Sequence, residues 1–143
     1  MCEVTSFSKE NTRLFFEVLK IRTEVFIQEQ GVNSLLEYDD DSQNPTYYLL
    51  KTSDGFIATC RYRKTNIGIK IERFAVLKMF RNKGYGMKLM DVVLRDLSNL
   101  NLLIYLHAQI SSVNFYKKYG FVVSGDVFQE AGIDHFTMKY TSK

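Results

Sequence analysis

The sequence predicts an α/β fold, a mixed central sheet of six to seven strands flanked by helices on both faces, in one domain over residues 1–143. Three observations carry the prediction. Three β-rich blocks, Thr46–Lys51, Phe56–Arg63 and Ile69–Val76, are joined by the hairpin signal Asp54-Gly55 and the turn Asn66–Gly68, so they form an antiparallel meander. Met87, Leu89, Met90, Val93, Leu94 and Leu97 then recur at three- and four-residue spacings, the stripe of a helix over Gly86–Leu97. Leu102–His107 is a nearly continuous apolar run, as in a strand buried on both faces. A helix joins it to the Ile69 strand, so the two are expected to be parallel neighbours.

The remaining elements follow in order. Glu3–Phe7 reads as a short first strand. Asn11 or Ser8 caps a helix whose apolar residues run from Leu14 to Ile27, either one long helix or two broken near Ile21–Thr23. Glu29–Asn44 is polar and acidic, with Glu37, Asp39, Asp40 and Asp41, and reads as a loop. It is either a solvated stretch or a cover that recruits a cationic substrate. After the central helix and strand, Ser111–Tyr119 forms a short helix ended by Gly120. Phe121–Ser124 is a strand, Gly125–Ile133 a turn-rich loop and His135–Tyr140 a last strand.

Composition narrows the function classes. At 143 residues and 45% apolar content the chain can bury a sizeable core. A net charge of +3 with no long basic run argues against nucleic acid. Cys2 and Cys60 lack metal-ligand spacing, so no metal is expected, and a reduced, cytoplasmic setting is the simpler reading. Neither a signal peptide nor an apolar run of the roughly 18 residues needed for a membrane span is seen.

The chemistry concentrates in Ile69–Leu97. An apolar strand ends at Phe74-Ala75-Val76, a basic turn Arg81-Asn82-Lys83-Gly84-Tyr85-Gly86 follows, and a helix begins. First-turn N–H groups of a helix have no internal partner and favour an anion. Gly84 and Gly86 let backbone touch a ligand, and Arg81 and Lys83 add positive charge. A pyrophosphate is the expected guest. The turn matches neither G-x-x-x-x-G-K-[ST] nor the three-glycine dinucleotide fingerprint, and a lone G-x-G is more often an ordinary tight turn.

The ordered set of strand, R-x-x-G-x-G and amphipathic helix resembles the coenzyme A pyrophosphate loop of the GNAT-type N-acetyltransferases. FYKKYGF at Phe115–Phe121 resembles the same family's segment in which a helix tyrosine leads into a G-F strand start. IRTEVFIQEQGV (Ile21–Val32), Ala58-Thr-Cys-Arg61, IERFAVLK, Leu106–Gln109 and EAGIDHFTM (Glu130–Met138) resemble the ElaA-like bacterial branch, so the likeness covers nearly the whole chain. It implies the GNAT-type fold, acetyl-CoA as co-substrate, and cofactor contacts from Phe74, Ala75, Val76, Arg81, Asn82, Lys83, Gly84, Tyr85, Gly86 and Met87. The pantetheine arm is implied to pair with Phe74–Val76 like an added strand. Gln109 stands where the family usually has a cofactor-touching Asn, and offers the same amide groups. Tyr47 and Asp134 also depart from the branch, which often has His and Pro there. Tyr116 matches the tyrosine that can protonate the departing thiolate, against the alternative of packing with Phe115 and Tyr119.

Acetyl transfer also needs a polarised carbonyl and a neutral amine. Free backbone N–H groups where Phe74–Val76 separates from Leu106–Ala108 can supply the first. Glu72 is a candidate base. Counted by strict alternation it shares a strand face with Phe74 and Val76, and partial burial would raise its pKa. The equal alternative is a cross-strand ion pair with Arg61 or Arg63. His135, with His107 behind it, is the other candidate base. By the resemblance, Arg22, Arg61, Glu72 and His135 line the acceptor side.

The function expected is therefore an acetyl-CoA-dependent N-acetyltransferase that acetylates a primary amine of a small molecule by direct attack, as a monomer or homodimer. The alternatives are a protein lysine or N-terminal acetyltransferase, whose basic peptides the acidic loop could attract, and a non-catalytic coenzyme A-binding regulatory module.

Overall fold

The structure, a computed structural model, describes residues 2–34 and 44–141. The acidic run Glu37, Asp39, Asp40 and Asp41 lies outside the described residues. Along the chain come β1 (Glu3–Phe7), α1 (Thr12–Arg22), a π-helical segment (Thr23–Glu29), β2 (Thr46–Thr52), β3 (Gly55–Lys64) and β4 (Ile69–Val76). These are followed by α2 (Tyr85–Leu97), β5 (Ile104–Gln109), α3 (Val113–Lys117), β6 (Phe121–Val123), β7 (Phe128–Glu130) and β8 (Ile133–Tyr140). The strands form one sheet in the order β1-β2-β3-β4-β5-β8-β6, with β7 also on β8. The expected parallel pair is β4 with β5; the meander β2-β3-β4 is antiparallel. The segment expected to be a plain loop, 125–133, contains β7, whose Phe128 and Glu130 lie opposite His135 and Ile133.

The sheet separates two apolar layers, and β2 shows how. Tyr48 and Leu50 face one layer with Ile69, Ile71, Leu89, Met90, Val93, Leu106, Tyr116, Phe121 and Met138. Tyr47 and Leu49 face the other with Leu14, Val18, Ile21, Val25 and Ala75. Successive strand side chains point to opposite faces, so one run of apolar residues serves both layers. Thus α2 and α3 cover one face and α1 the other. Each fully buried Leu or Ile contributes about 1.5–3 kcal/mol, and this burial holds the layers together. The Tyr48 hydroxyl donates to Asp96 Oδ2 at 2.9 Å and ties the last turn of α2 to the sheet.

α1 begins where the sequence signals it, with Leu14 N–H donating to the Asn11 side chain at 3.2 Å. The change expected near Ile21–Thr23 is one of winding rather than a break. From Thr23 the helix widens to π geometry, closing with Gln30 N–H on the Val25 carbonyl at 3.1 Å. No helix among the described residues is long and apolar enough to cross a membrane.

Candidate active site

β4 and β5 pair only at Ile69–Ile104, Lys70–Tyr105 and Ile71–Leu106. Beyond that point β4 continues alone with β3, and β5 continues alone with β8. Phe74–Val76 and His107–Gln109 therefore diverge and border a slot; the sequence placed the parting at Leu106–Ala108, and Leu106 is still paired with Ile71. A parallel ladder that stops early leaves backbone groups on both lips to be met by something else.

A bulge accompanies the parting. Between the pairs Thr59–Ala75 and Arg61–Glu72, β4 has one residue more than β3, and Arg73 adopts a left-handed φ of 55°. The alternation of side chains reverses there. Phe74 and Val76 pack on the α2 layer with Ile71, while Ala75 turns to the α1 layer. Strict alternation placed Glu72 on the face of Phe74 and Val76. The bulge puts it on the opposite face, among Arg61 and Tyr47.

The loop after β4 turns through Lys78–Phe80 and enters α2 at Gly84, whose φ is 85°. Asn82 is also left-handed, at 63°. The first helical bond runs from Lys88 N–H to the Gly84 carbonyl at 3.1 Å, so the Tyr85, Gly86 and Met87 amides precede the ladder. A Cβ on Gly84 would meet no protein atom within 4 Å, whereas one on Gly86 would press on the Phe115 ring at 3.3 and 3.4 Å. Gly84 thus keeps an open cradle, and Gly86 permits the close approach of α2 to α3. Asn82, Lys83 and Met87 are exposed. Lys83 lies over the Phe80 ring, with its Nζ 5.8 Å from the centroid, and Tyr85 meets the same ring edge-on.

Arg81 makes contacts that the sequence does not foresee. Its Nε donates to the Val76 carbonyl at 2.8 Å, and its two terminal nitrogens donate to the Glu29 carboxylate at 2.6 and 2.7 Å. That pairing, first through its hydrogen bonds, holds the Glu29 carboxyl below its usual range. Arg81 thereby fastens the π segment to the end of β4. Gln109 is likewise engaged. It donates to Gln30 at 2.9 Å and accepts from it at 3.3 Å, fastening the same segment to the end of β5.

On the α2 face the slot is lined by aromatics. Tyr116 meets Phe74 edge-on at 6.1 Å and also touches Phe115 and Phe121. The phenol therefore sits beside the unpaired stretch of β4. It also packs in an aromatic cluster, so both readings of Tyr116 have a geometric basis. Burial pushes the phenol up, and it keeps its proton well into the alkaline range.

The opposite face is polar. Glu72 receives Arg61 Nη2 at 2.9 Å, Arg63 Nε at 2.6 Å and Lys70 Nζ at 3.4 Å. Arg61 is 2% exposed and also donates to the Tyr47 hydroxyl at 3.3 Å. Burial pushes the Glu72 carboxyl up, but the charge of Arg61, the Arg63 hydrogen bond and Lys70 outweigh it and hold the group at about 2. The upward shift expected from burial alone is reversed by the cations of β3 and β4. The ion-pair alternative describes the geometry, and a carboxyl at that value has little affinity for a proton at neutral pH. Arg22, at the end of α1, is 1% exposed.

Further along the same face lie His107, Glu130 and His135. Glu130 and the π-segment residues Glu29 and Gln30 escaped the sequence reading. For Glu130 the missed signal was the alternation Phe128-x-Glu130 just before the turn at Gly132, which marks a short strand folding back on β8.

The chain as a whole is similar to known proteins. A family profile for the acetyltransferase (GNAT) domain matches residues 4–142. The uncharacterized N-acetyltransferase YjcF of Bacillus subtilis is 31% identical over 133 residues, which span 90% of this chain and 94% of that one. Escherichia coli ElaA has a TM-score of 0.87 at 25% identity, covering 98% of this chain and 99% of that one. Arabidopsis thaliana Naa50, solved in complex with the bisubstrate analogue CoA-Ac-MVNAL, has a TM-score of 0.69 at 25% identity, covering 98% of each chain. The chain belongs to the GNAT acetyltransferases. It is an N-acetyltransferase with acetyl-CoA as co-substrate, and the open cradle at Gly84 and the unpaired lip of β4 suit that group's pyrophosphate and extended arm.

Proposed function

We propose that this enzyme acetylates a primary amine of a small molecule by direct attack, with Tyr116 as the general acid. The slot between β4 and β5 carries the reading. A phenol lies on one face and a polar, charged surface on the other, and acyl transfer needs that division. The amine approaches from one side of the acetyl carbonyl, and the thiolate leaves towards a proton donor on the other. The α2 first-turn amides of Tyr85, Gly86 and Met87, with Asn82, Lys83 and Gly84, would hold the pyrophosphate. The backbone of Phe74, Ala75 and Val76 would pair with the arm and polarise the carbonyl. Arg81 and Gln109 would shape this site through Glu29 and Gln30, and each keeps N–H donors that these contacts do not use. Arg22 and Arg61 flank the acceptor side, with Glu72 fixing Arg61.

Direct attack is supported by Cys60. It is fully buried in the layer that holds Tyr116, and burial pushes its thiol up, away from a nucleophilic thiolate. A small acceptor is supported by the π segment, fastened at its end to both lips of the slot, and by β7, which pairs alongside the start of β8. Both narrow the approach that a peptide would need.

The test is acetyl-CoA binding by calorimetry, followed by free-thiol release against small amines and lysine or N-terminal peptides. Binding with thiol release on small amines is the expected result. Release on peptides alone would replace the small-molecule reading, and binding without release would leave a coenzyme A-binding module.

A further inference from the structure

The acceptor face needs a proton acceptor, and Glu72 is held in its ion-pair cluster. The same face carries a second cluster at the far lip of the slot. In β8, His135 lies directly opposite Gln109, the last residue of β5. His135 is 6% exposed, and its Nδ1 lies 2.7 Å from the Ile133 carbonyl. A carbonyl only accepts, so the Nδ1 of neutral His135 carries the proton and its Nε2 presents a lone pair. Glu130 Oε2 lies 3.9 Å from that Nε2. The other oxygen, Oε1, accepts from His107 Nδ1 at 2.9 Å. Phe128 stacks on His135 at 5.9 Å between ring centres and meets His107 edge-on at 4.9 Å. The His107 hydrogen bond is the main cause holding the Glu130 carboxyl below its usual range, helped by Lys70, so it faces His135 as an anion.

Resting on the acetyltransferase reading above, we propose that His135 Nε2 is the base that takes a proton from the acceptor's ammonium group. Glu130 is its positioning residue and the counter-charge for the imidazolium, and His107 holds Glu130 in place. The step balances. The ammonium gives one proton to Nε2 and becomes a neutral amine. Its nitrogen forms the C–N bond with the acetyl carbon, and the C–S bond breaks. The thiolate takes a proton from Tyr116, which is replaced by the second proton lost from nitrogen. His135 returns its proton to water, so one proton is released per turnover. The titratable and charged groups around His135 are Glu130 from β7, His107 from β5, and Lys70 from β4 acting through Glu130. From β8 itself, the Asp134 side chain accepts from Gln129 at 3.3 Å.

The experiment compares wild type, His135→Asn and Glu130→Gln, using kcat/KM against pH, acetyl-CoA affinity and nitrogen-15 imidazole spectra. His135→Asn should lower kcat about a hundredfold, as loss of a general base does, and abolish the acidic limb that the base provides. Acetyl-CoA affinity and melting temperature should stay at wild-type values, and added imidazole should restore turnover to His135→Ala. Glu130→Gln should keep more activity than His135→Asn and move the acidic limb to lower pH, because the imidazolium loses its counter-charge. The spectra of wild type should show the Nδ1–H tautomer. A His135→Asn enzyme with wild-type kcat and an unmoved limb, or an Nε2–H tautomer, would overturn the assignment while leaving the acetyltransferase reading intact. A wild type that releases no thiol with any amine would remove both.

Discussion

Glu29 and Arg81 stand 52 residues apart and meet in a two-pronged ion pair, 2.6 Å on one side and 2.7 Å on the other. The adjacent residue, Gln30, pairs with Gln109. Arg81 is anchored to the last residue of β4 through the Val76 carbonyl, and Gln109 is the last residue of β5. Two neighbouring residues, the last of the π segment and the one that follows it, thus link the ends of the two diverging strands.

Arg81→Lys tests that role. Lysine keeps the charge but cannot donate to both Glu29 oxygens and to the Val76 carbonyl at once. Side chains this exposed contribute little to stability, at most about 1 kcal/mol, so the melting temperature should fall by no more than a few degrees. Acetyl-CoA affinity should fall about tenfold, the equivalent of one charge-assisted hydrogen bond. Wild-type affinity in calorimetry would show that the charge alone matters and the fork does not.

Gly84 is to be compared with Gly125. Both have left-handed φ, 85° and 92°, and at neither would a Cβ meet a protein atom within 4 Å. Alanine at either position should cost a similar backbone strain, about 1–2 kcal/mol. Only Gly84→Ala should also weaken acetyl-CoA binding, because only there does the open space serve a ligand. Equal binding by the two variants would mean that the space beside Gly84 stays empty in the complex.

The fold was legible because its signals are local. The Asp54-Gly55 turn, the stripe from Met87 to Leu97 and the apolar run into His107 each specify an element without reference to the others. The parting of β4 from β5 was legible to within a residue: it was placed from Leu106 and begins after it. The faces of the site were less so. One bulge at Arg73 reverses the alternation along β4, and nothing in the local pattern announces a left-handed arginine. Glu29 and Gln30 were unreadable for another reason: their partners lie 52 and 79 residues away. Glu72 shows the limit of arguing from burial. The expected upward push exists, but three cations from two strands outweigh it, and their convergence is a property of the register.

Glu72 makes that balance measurable. A carboxyl whose folded value lies below its unfolded one contributes stability above the unfolded value. It loses that contribution as pH falls through the folded value. Here the window runs from the ordinary 4.5 down to about 2. The shift corresponds to roughly 3 kcal/mol, within the range for breaking a buried pair. Glu72→Gln should therefore be less stable at pH 7 and show a flatter loss of stability between those values in acid denaturation. Its pH–rate profile should keep the wild-type acidic limb. A limb displaced by this substitution would return Glu72 to the role of base.

Tyr116→Phe separates chemistry from packing. The variant keeps the ring that meets Phe74, Phe115 and Phe121, so melting temperature and acetyl-CoA affinity should stay near wild type. It removes only the proton donor, so kcat should fall about a hundredfold. Because burial keeps the wild-type phenol protonated, the loss should extend across the neutral and alkaline range rather than appear at one end. The decisive control is the leaving group. A more acidic thiol needs less help in departing, so an acetyl thioester of such a thiol should lose less activity in the variant than acetyl-CoA does. If wild type and Tyr116→Phe respond alike to the change of leaving group, the proton does not come from Tyr116 and its ring is there for packing alone.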